Sequence, residues 1–418
     1  MSTVVLANTI SPVMVSTPSP RYGRMMAAVT PRKLWQACGG DAVVTLAPAS
    51  WEFRAYVGAT LGREPDAVDV VAPPAVSTGH AVDVLRASGR IDEVVARGTV
   101  APFALDPQVA SLASAYGLRV APYRDQPPAE AVRAASLINT KAGFRAVAAE
   151  LGLPLAPGGA AGDAAQLRRK LPAVAERHRR VIVKLDRGSN GYGNFVVDAD
   201  QGPVSEQVER GLAEAAEQRS GYVYEAFLDF HSVPSIEMEV LDDSVRPLYT
   251  CDQRTVDRSF TGMVTPATTA SSLLTRLTAH ATQVGWWLHR HGYRGVFDLD
   301  TGLHDVDGKT AFVCSEVNGR RTGGTYLHEL SRLLLDAGPY EEIAWRADSR
   351  RAPAGARFAQ GVRALADAGL APSATGGGVV LTADTLEIDG RWRYLVVGTS
   401  PAAVAEREAA CLAVLGTA

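Results

Sequence analysis

An α/β fold with more than one core is what the sequence predicts, and three observations carry it. Short apolar runs alternate with helix-length stretches over the first 135 residues. At VIVKLDRGSNGYGNFVV, Val181 to Val197, an apolar run ends in a lysine, passes through three glycines and resumes. From Gly292 to Thr325, GYRGVFDLDTGLHDVDGKTAFVCSEVNGRRTGGT reads as a hairpin with carboxylates on alternating positions. At 418 residues the chain is too long for one ordinary core, so two to four domains are expected.

The first region holds the runs VVLAN (4–8), AVVTLAP (42–48) and VDVVAPP (68–74), a pattern that predicts a small parallel sheet flanked by helices. No GxGxxG follows the first run, so nothing supports a dinucleotide site there. The start, MSTVVLANTISPVMV, lacks a charged leader region and reads as a first buried strand. No apolar run approaches the roughly 18 residues of a membrane span, so no membrane partner is expected. A net charge of -3 provides no basic stripe for phosphates along a nucleic acid, which is excluded as a partner. Four cysteines without a CxxC pair suit reduced thiols and a cytoplasmic location.

A second unit starts at NTKAGFRAVAAELGLPLAPGG. Asn139 or Thr140 caps a helix with Phe144, Val147, Ala148 and Leu151 at helical spacing, and Gly152 with Pro154 ends it. LAPGGAAGDAA reads as a flexible connection, 201–219 as a polar helix, GYVYEAFL as a strand and Ser235 to Tyr249 as a strand pair. Ser271 to His291 reads as one helix, and Asp307-Gly308 turns the hairpin that follows. After Leu335 a tail shows a helix around Arg357 to Ala368, a hairpin turning at Asp389-Gly390 and a last amphipathic helix.

Glycines Gly188, Gly191 and Gly193, with Ser189 and Asn190, free a run of backbone N–H groups that can close over an anion, and Lys184 stands one strand-length before them. An ordinary hairpin with a solvated lysine fits the same residues. In the carboxylate hairpin, Asp298 and Asp300 share a face, as do Glu316 and Asn318, because strand side chains alternate. Carboxylates on neighbouring strands repel unless a cation sits between them, and magnesium takes such oxygens while leaving positions for phosphates. An ideal two-residue turn would pair Leu299 with Glu316. The metal reading instead requires an odd loop length or a bulge, either of which pairs Asp300 with Glu316. Asp305 and Asp307 read as charges on the solvated face, Asp298 as a third such charge or as an addition to the metal shell, and one of Arg320 and Arg321 as solvent-facing. CDQRTVDRSFTGMVTPA, Cys251 to Ala267, offers Arg254 and Arg258 to an acidic group, or two exposed loop arginines. His289, His291 and His328 read as packing or capping residues, and no general base stands out.

In this order, the pieces resemble the ATP-grasp family of carboxylate-amine ligases. Lys141 in NTKAGFRAVAAELGLP and Lys184 in VIVK look like its two phosphate lysines, and DRGSNGYGN like its closing loop. GYVYEAFL is similar to the hinge strand that reads adenine, which implies roles there for Glu225, Ala226 and Phe227. GYRGVFDLD with SEVNGRRTGGT is similar to its metal hairpin, which implies Asp300, Glu316 and Asn318 for magnesium, or manganese in its place, and Arg320 with Lys184 for catalysis. Ser232 stands where many relatives carry a ribose-binding glutamate, and Glu237 is the replacement considered.

The resemblance implies a Rossmann-like pre-ATP-grasp domain over 1–135, an ATP-grasp domain over 136–335 and a small α+β domain over 336–418. The expected activity joins a small-molecule carboxylic acid to an amine, an amino acid or peptide, at the expense of ATP through an acyl phosphate. Peptide ligases of natural-product pathways, such as the pheganomycin type, look most similar. A homodimer is common in such folds. The rival class is a nucleotide-binding regulatory or scaffold protein without chemistry.

Overall fold

In the computed structural model, the described residues are 2–15, 19–188, 191, 193–214, 221–256, 259–373 and 376–416. Their strands form three sheets. The first is parallel, in the order β3-β2-β1-β4-β5, from β1 (Val4–Leu6), β2 (Ala42–Val44), β3 (Asp69–Val71), β4 (Thr99–Pro102) and β5 (Arg119–Val120). Helices cross between these strands as the alternating pattern predicts. Ser50 and Asp106 cap two of them by accepting from the Phe53 and Val109 N–H groups, and Gly62 and Gly117 end them in the left-handed region.

A four-stranded antiparallel sheet follows, in the order β6-β9-β7-β8, from β6 (Gly158–Ala161), β7 (Arg180–Leu185), β8 (Phe195–Asp198) and β9 (Tyr222–Ala226). The expected flexible connection LAPGGAAGDAA is therefore a strand over four of its residues. Its glycines hide it from propensity but serve contact: a Cβ at Gly158 would strike the Tyr224 carbonyl oxygen, and one at Gly159 the Tyr224 ring. Helices Ala164–His178 and Val204–Glu214 cover one face of this sheet around a separate core of Leu167, Leu171, Val181, Val183, Val197 and Tyr222.

The third sheet has eight strands in the order β14-β13-β10-β11-β12-β15-β17-β16. They are β10 (Pro234–Val240), β11 (Val245–Val256), β12 (Ser259–Thr265), β13 (Gly295–Val306), β14 (Lys309–Asn318), β15 (Ala344–Arg351), β16 (Gly378–Leu381) and β17 (Arg391–Gly398). The tail thus extends the same sheet. Its expected hairpin at Asp389-Gly390 is instead a longer connection holding the short helix Leu386–Asp389, with Gly390 ending that helix at φ 63°. One core runs from the first sheet through helices Ala129–Ile138, Lys141–Glu150 and Ser271–Arg290 to Ile236, Phe297 and Leu299 of the large sheet. A second joins the other face of the first sheet to Trp345, Tyr394 and Val404. The small sheet stands on its own core, beside the shared ones.

Cys251 to Ala267 forms most of the β11–β12 hairpin, and Arg254 is no free loop arginine. It donates to Glu408 of the last helix at 2.5 and 2.8 Å and to Asp348 at 3.2 Å. Arg258 lies outside the described residues. Of the four cysteines only Cys38 is exposed. Among the described residues no helix is long and apolar enough to cross a membrane.

Candidate functional site

Thr140 accepts a hydrogen bond from the Gly143 N–H and so starts helix Lys141–Glu150 with Lys141 at its first position. The end of β7 is tied to that start: Asp186 accepts the Lys141 N–H at its carbonyl (3.0 Å) and the Ala142 N–H at its carboxylate (2.8 Å). Lys184 therefore leaves the strand beside the helix that carries Lys141. The spacing of four puts Arg145 on the same helical face as Lys141. Lys184 donates to Glu225 of β9 at 2.6 Å, and Arg145 reaches the other oxygen of that carboxylate at 2.5 Å. Burial alone would raise the Glu225 pKa, but the charges of Lys184 and Arg145 outweigh it and hold the group below the usual carboxylate range.

The glycine-rich loop leaves β7 next to Lys141, whose ammonium donates to the Gly188 carbonyl at 2.7 Å. Gly191 and Gly193 both have φ 73°, and a Cβ at Gly193 would run into the Leu185 side chain, so the turn needs glycine there. Ser189 and Asn190 lie outside the described residues. On the hinge strand, the Ala226 N–H is spent on the Pro157 carbonyl and the Phe227 N–H on the Arg180 carbonyl. The Arg180 guanidinium also stacks 4.1 Å over the Phe227 ring. These N–H groups are not open to a base edge.

Across from the lysines, β14, β13 and β10 present two rows of polar side chains on one face. Asp300 pairs with Glu316 and with Ser235; Asp298 pairs with Asn318 and with Glu237. A two-residue turn at Asp307-Gly308 closes the hairpin, and a bulge after Asp300, with Ser315 the extra residue, restores the register that brings Asp300 opposite Glu316. Asp305 and Asp307 are exposed as expected, but Asp298 is not on the solvated face: it accepts from the Asn318 N–H and side-chain amide at 3.0 and 2.8 Å. Its side chain follows the parity of Asp300, and that parity points into the site.

Glu237 is likewise reassigned. It lies on the large sheet rather than on the hinge sheet, buried, accepting at one oxygen from Tyr249 (2.9 Å) and Thr322 (2.7 Å), while its other oxygen has no partner among the described residues. The ribose reading does not fit that place. Burial first, with the Glu329 charge added, pushes its pKa up to about 7. Burial and then Glu237 push Asp298 up to about 7, and burial, Asp298 and Glu316 lift Asp300 well above the carboxylate range.

Glu316 and Asp300 offer two adjacent carboxylates, which suits a hard cation whose remaining positions phosphate oxygens fill. Asn318 contributes an amide oxygen that here accepts from Arg320. Among the described residues no three His, Cys, Asp or Glu side chains gather as a metal cluster, so an ion there would depend on its other ligand for most of its shell. The two sides meet at Lys141, whose ammonium lies 3.5 Å from Glu316. Lys184 is joined to this point through Glu225 and Arg145, which lies four residues from Lys141 on the same helix, about 6 Å along the axis.

Buried Arg320 adjoins this face, with its Nε unpartnered among the described residues and its guanidinium 5.8 Å from the Phe103 ring. Arg321, expected in solvent if Arg320 is not, is instead bound to Glu329 at 2.7 and 3.0 Å, and its N–H reaches the Phe103 carbonyl. His328 packs against Tyr249 at 4.7 Å, and the ring nitrogens of His289 and His291 meet backbone carbonyls near the end of their helix, which agrees with packing and capping. Arg145, Asp186 and Thr322 were missed by sequence reasoning. For Arg145 the i, i+4 relation to Lys141 was an available signal, whereas Asp186 and Thr322 carry none.

A family model described as a Pre ATP-grasp domain matches residues 30–118, and one described as a PGM1 C-terminal domain matches residues 361–411. None of the curated proteins compared with the chain matches it. Among solved structures it is similar to carboxyaminoimidazole ribonucleotide synthase from Aspergillus clavatus complexed with ATP, at 15% identity and TM-score 0.60, over 99% of this chain and 98% of that one. It is also similar to biotin carboxylase from Campylobacter jejuni in a β-γ-ATP complex, at 13% identity and TM-score 0.65, over 100% and 92%. A third similar structure is the biotin carboxylase domain of Hydrogenobacter thermophilus 2-oxoglutarate carboxylase with MgADP and bicarbonate, at 13% identity and TM-score 0.64, over 100% and 90%. The likeness spans nearly the whole of this chain and 90% or more of each of those chains, and with the Pre ATP-grasp match it shows the fold: the protein has the ATP-grasp fold, with a pre-ATP-grasp domain in front of it.

Proposed function

We propose that the protein is an ATP-dependent ligase that joins a carboxylic acid to an amine through an acyl phosphate, with an amino acid or peptide as the amine and natural-product peptide biosynthesis as the setting. The observation that carries this reading is the meeting of opposite charges across two lobes. Lys141 and Lys184 come from the small lobe and its adjoining helix, and Asp300 and Glu316 from the large sheet, with Lys141 bridging the gap at 3.5 Å. In this reading residues 1–135 are the pre-ATP-grasp domain, 136–335 the ATP-grasp domain and 336–418 the small C-terminal domain. The similar structures named with ATP and MgADP support the choice of nucleotide.

A carboxylate does not react with an amine at neutral pH, because it is resonance-stabilised and would have to expel oxide. Its oxygen must first attack the terminal phosphorus of ATP, so that one P–O bond forms as the bond to ADP breaks. The amine then attacks the acyl carbon, phosphate leaves and the ammonium proton is lost. Asp300, Glu316 and Asn318 would hold magnesium, which neutralises phosphate charge when bound. Lys141 and Lys184 spread the rest of that charge, and to do so each must exchange its present partner, Gly188 with Glu316 or Glu225, for phosphate oxygen. Arg320, adjoining Asn318, stabilises the transferred phosphoryl group. The glycine loop keeps water from the acyl phosphate.

The test supplies ATP, magnesium and pools of carboxylic acids with hydroxylamine as a surrogate amine. An acid-dependent hydroxamate with stoichiometric ADP is expected. ATP binding without acid-dependent ADP release would replace the ligase with a silent nucleotide-binding protein.

A further inference from the structure

The parallel sheet reverses its winding between β1 and β4, and in open α/β sheets the crevice outside the carboxyl ends of the strands at such a point is where ligands settle. A cavity of about 310 Å³ lies there, with walls that include Lys33, Trp35, Cys38, Phe103, Arg321 and Leu333. That is room for an amino-acid-sized group.

Lys33 is 1% exposed, and no carboxylate lies within ion-pair reach of it among the described residues. Its ammonium donates to the Gln36 side-chain oxygen at 2.9 Å and otherwise rests on aromatic faces, 4.5 Å from the Phe103 centroid and 5.5 Å from that of Tyr326. Glu329, the nearest acid to act on it, is already held by Arg321 and by Gln36. Arg32, stacked 5.0 Å over Tyr326, adds a further cation. Burial, then Arg32 and Arg321, lower the Lys33 pKa well below the usual lysine range against the weaker pull of Glu329 and Glu237. Cations left unneutralised beside apolar walls are the chemistry of a carboxylate site.

We infer that this cavity binds a carboxylate that the substrates carry through the reaction unchanged, with an apolar group packed against Trp35, Phe103 and Leu333. Phe103 borders the cavity and lies 5.8 Å from the guanidinium of Arg320, which on its other side donates to Asn318 of the acidic face, so the two regions are neighbours. The assignment to a substrate rests on the ligase reading above; the anion site itself does not.

Cys38, the one exposed thiol, reports on the cavity without turnover. Its backbone N–H donates to Asp41, a carboxylate that works against an anionic reagent, while Arg63, held by the Ala37 and Leu34 carbonyls outside the cavity, works for one, so the share of a preference that Lys33→Met removes is the share that comes from the cavity. Iodoacetate and iodoacetamide are compared at Cys38 by peptide mass spectrometry, each normalised to N-acetylcysteine. The wild-type protein at low salt favours iodoacetate about fivefold, and 0.5 M salt erases most of that. Lys33→Met abolishes the preference and Lys33→Arg restores it. A wild-type ratio equal to that of the free thiol overturns the site, whether or not any variant folds.

Two further arms separate the inference from the ligase reading. In the ligase assay, Lys33→Met raises KM about tenfold for an amine with a free carboxylate, or for a dicarboxylic donor, and leaves the matching carboxamide or monoacid unchanged. An equal loss for both members of each pair overturns the substrate role. Selective alkylation without any hydroxamate removes the ligase and leaves an anion site. Hydroxamate with unselective alkylation removes the site and leaves the ligase.

Discussion

On the four-stranded sheet each buried charge of the site meets its opposite close by: Glu225 lies between Lys184 and Arg145, and Lys141 caps the glycine loop. On the eight-stranded sheet Glu237, Asp298, Asp300 and Glu316 crowd one face, and Lys141 at 3.5 Å and Arg320 are the cations that touch its edge. The first side is finished as a protein interior. On the second, burial and then the neighbouring carboxylates raise the pKa values of Glu237, Asp298 and Asp300, whereas at Glu225 the charges of Lys184 and Arg145 outweigh burial and lower it. Like carboxylates held together by a rigid sheet are stabilised by a proton or a cation among them; paired charges need neither.

The strongest way to break this contrast is to neutralise the acidic face. Glu316→Gln is expected to lower acid-dependent ADP release about a thousandfold, while the melting temperature stays the same or rises, because one repulsion is gone. Lys184→Met should cost activity on a similar scale, and Arg145 still holds Glu225. A Glu316→Gln variant that melts well below the wild type would mean that the acidic face is an ordinary paired interior.

The paired side predicts the reverse. Glu225→Gln leaves two buried cations without their carboxylate and is expected to destabilise by about 3 kcal/mol. Urea denaturation followed by far-UV circular dichroism reads it, and a change under about 1 kcal/mol would make Glu225 one more surface pair.

How far the sequence could disclose this contrast follows from where each interaction is encoded. The carboxylate hairpin and its Asp300–Glu316 pairing were legible because alternation and the Asp307-Gly308 turn are local, whereas the bulge that sets the register was one of two ways to reach it. The lysines and the glycine loop were legible for the same reason. Alternation placed Asp298 with Asp300 but could not say whether their face is wet. That depends on β10, whose Glu237 comes from a strand about sixty residues earlier. Strand β6 was hidden by glycines that exist to admit Tyr224. Arg254 looked free because its partner Glu408 lies on the last helix, and the tail looked separate because strand order in a sheet is not written in chain order. Lys33 gave no sign at all, since its isolation is a property of the packed cavity.

The smallest effect sharpens the comparison most, because it isolates one acid that is neither on the β13–β14 hairpin nor paired with a cation. Glu237 is buried, its pKa is raised from 4.5 to about 7, and one of its oxygens is unpartnered among the described residues. Between those two values the folded protein keeps a proton that the unfolded chain has released, so this residue makes stability fall as pH rises from about 4.5 to 7, with no further change above. Sharing of repulsion with Asp298 reduces the size to about 2 kcal/mol. Glu237→Gln keeps an acceptor for Tyr249 and Thr322 and removes the titration. In metal-free buffer the variant should therefore equal the wild type near pH 5 and exceed it by that amount at pH 8, in urea midpoints taken at constant ionic strength. Parallel profiles for the two proteins would show that Glu237 stays charged in the fold, and the acidic face would then have to be neutralised at Asp298 and Asp300 alone.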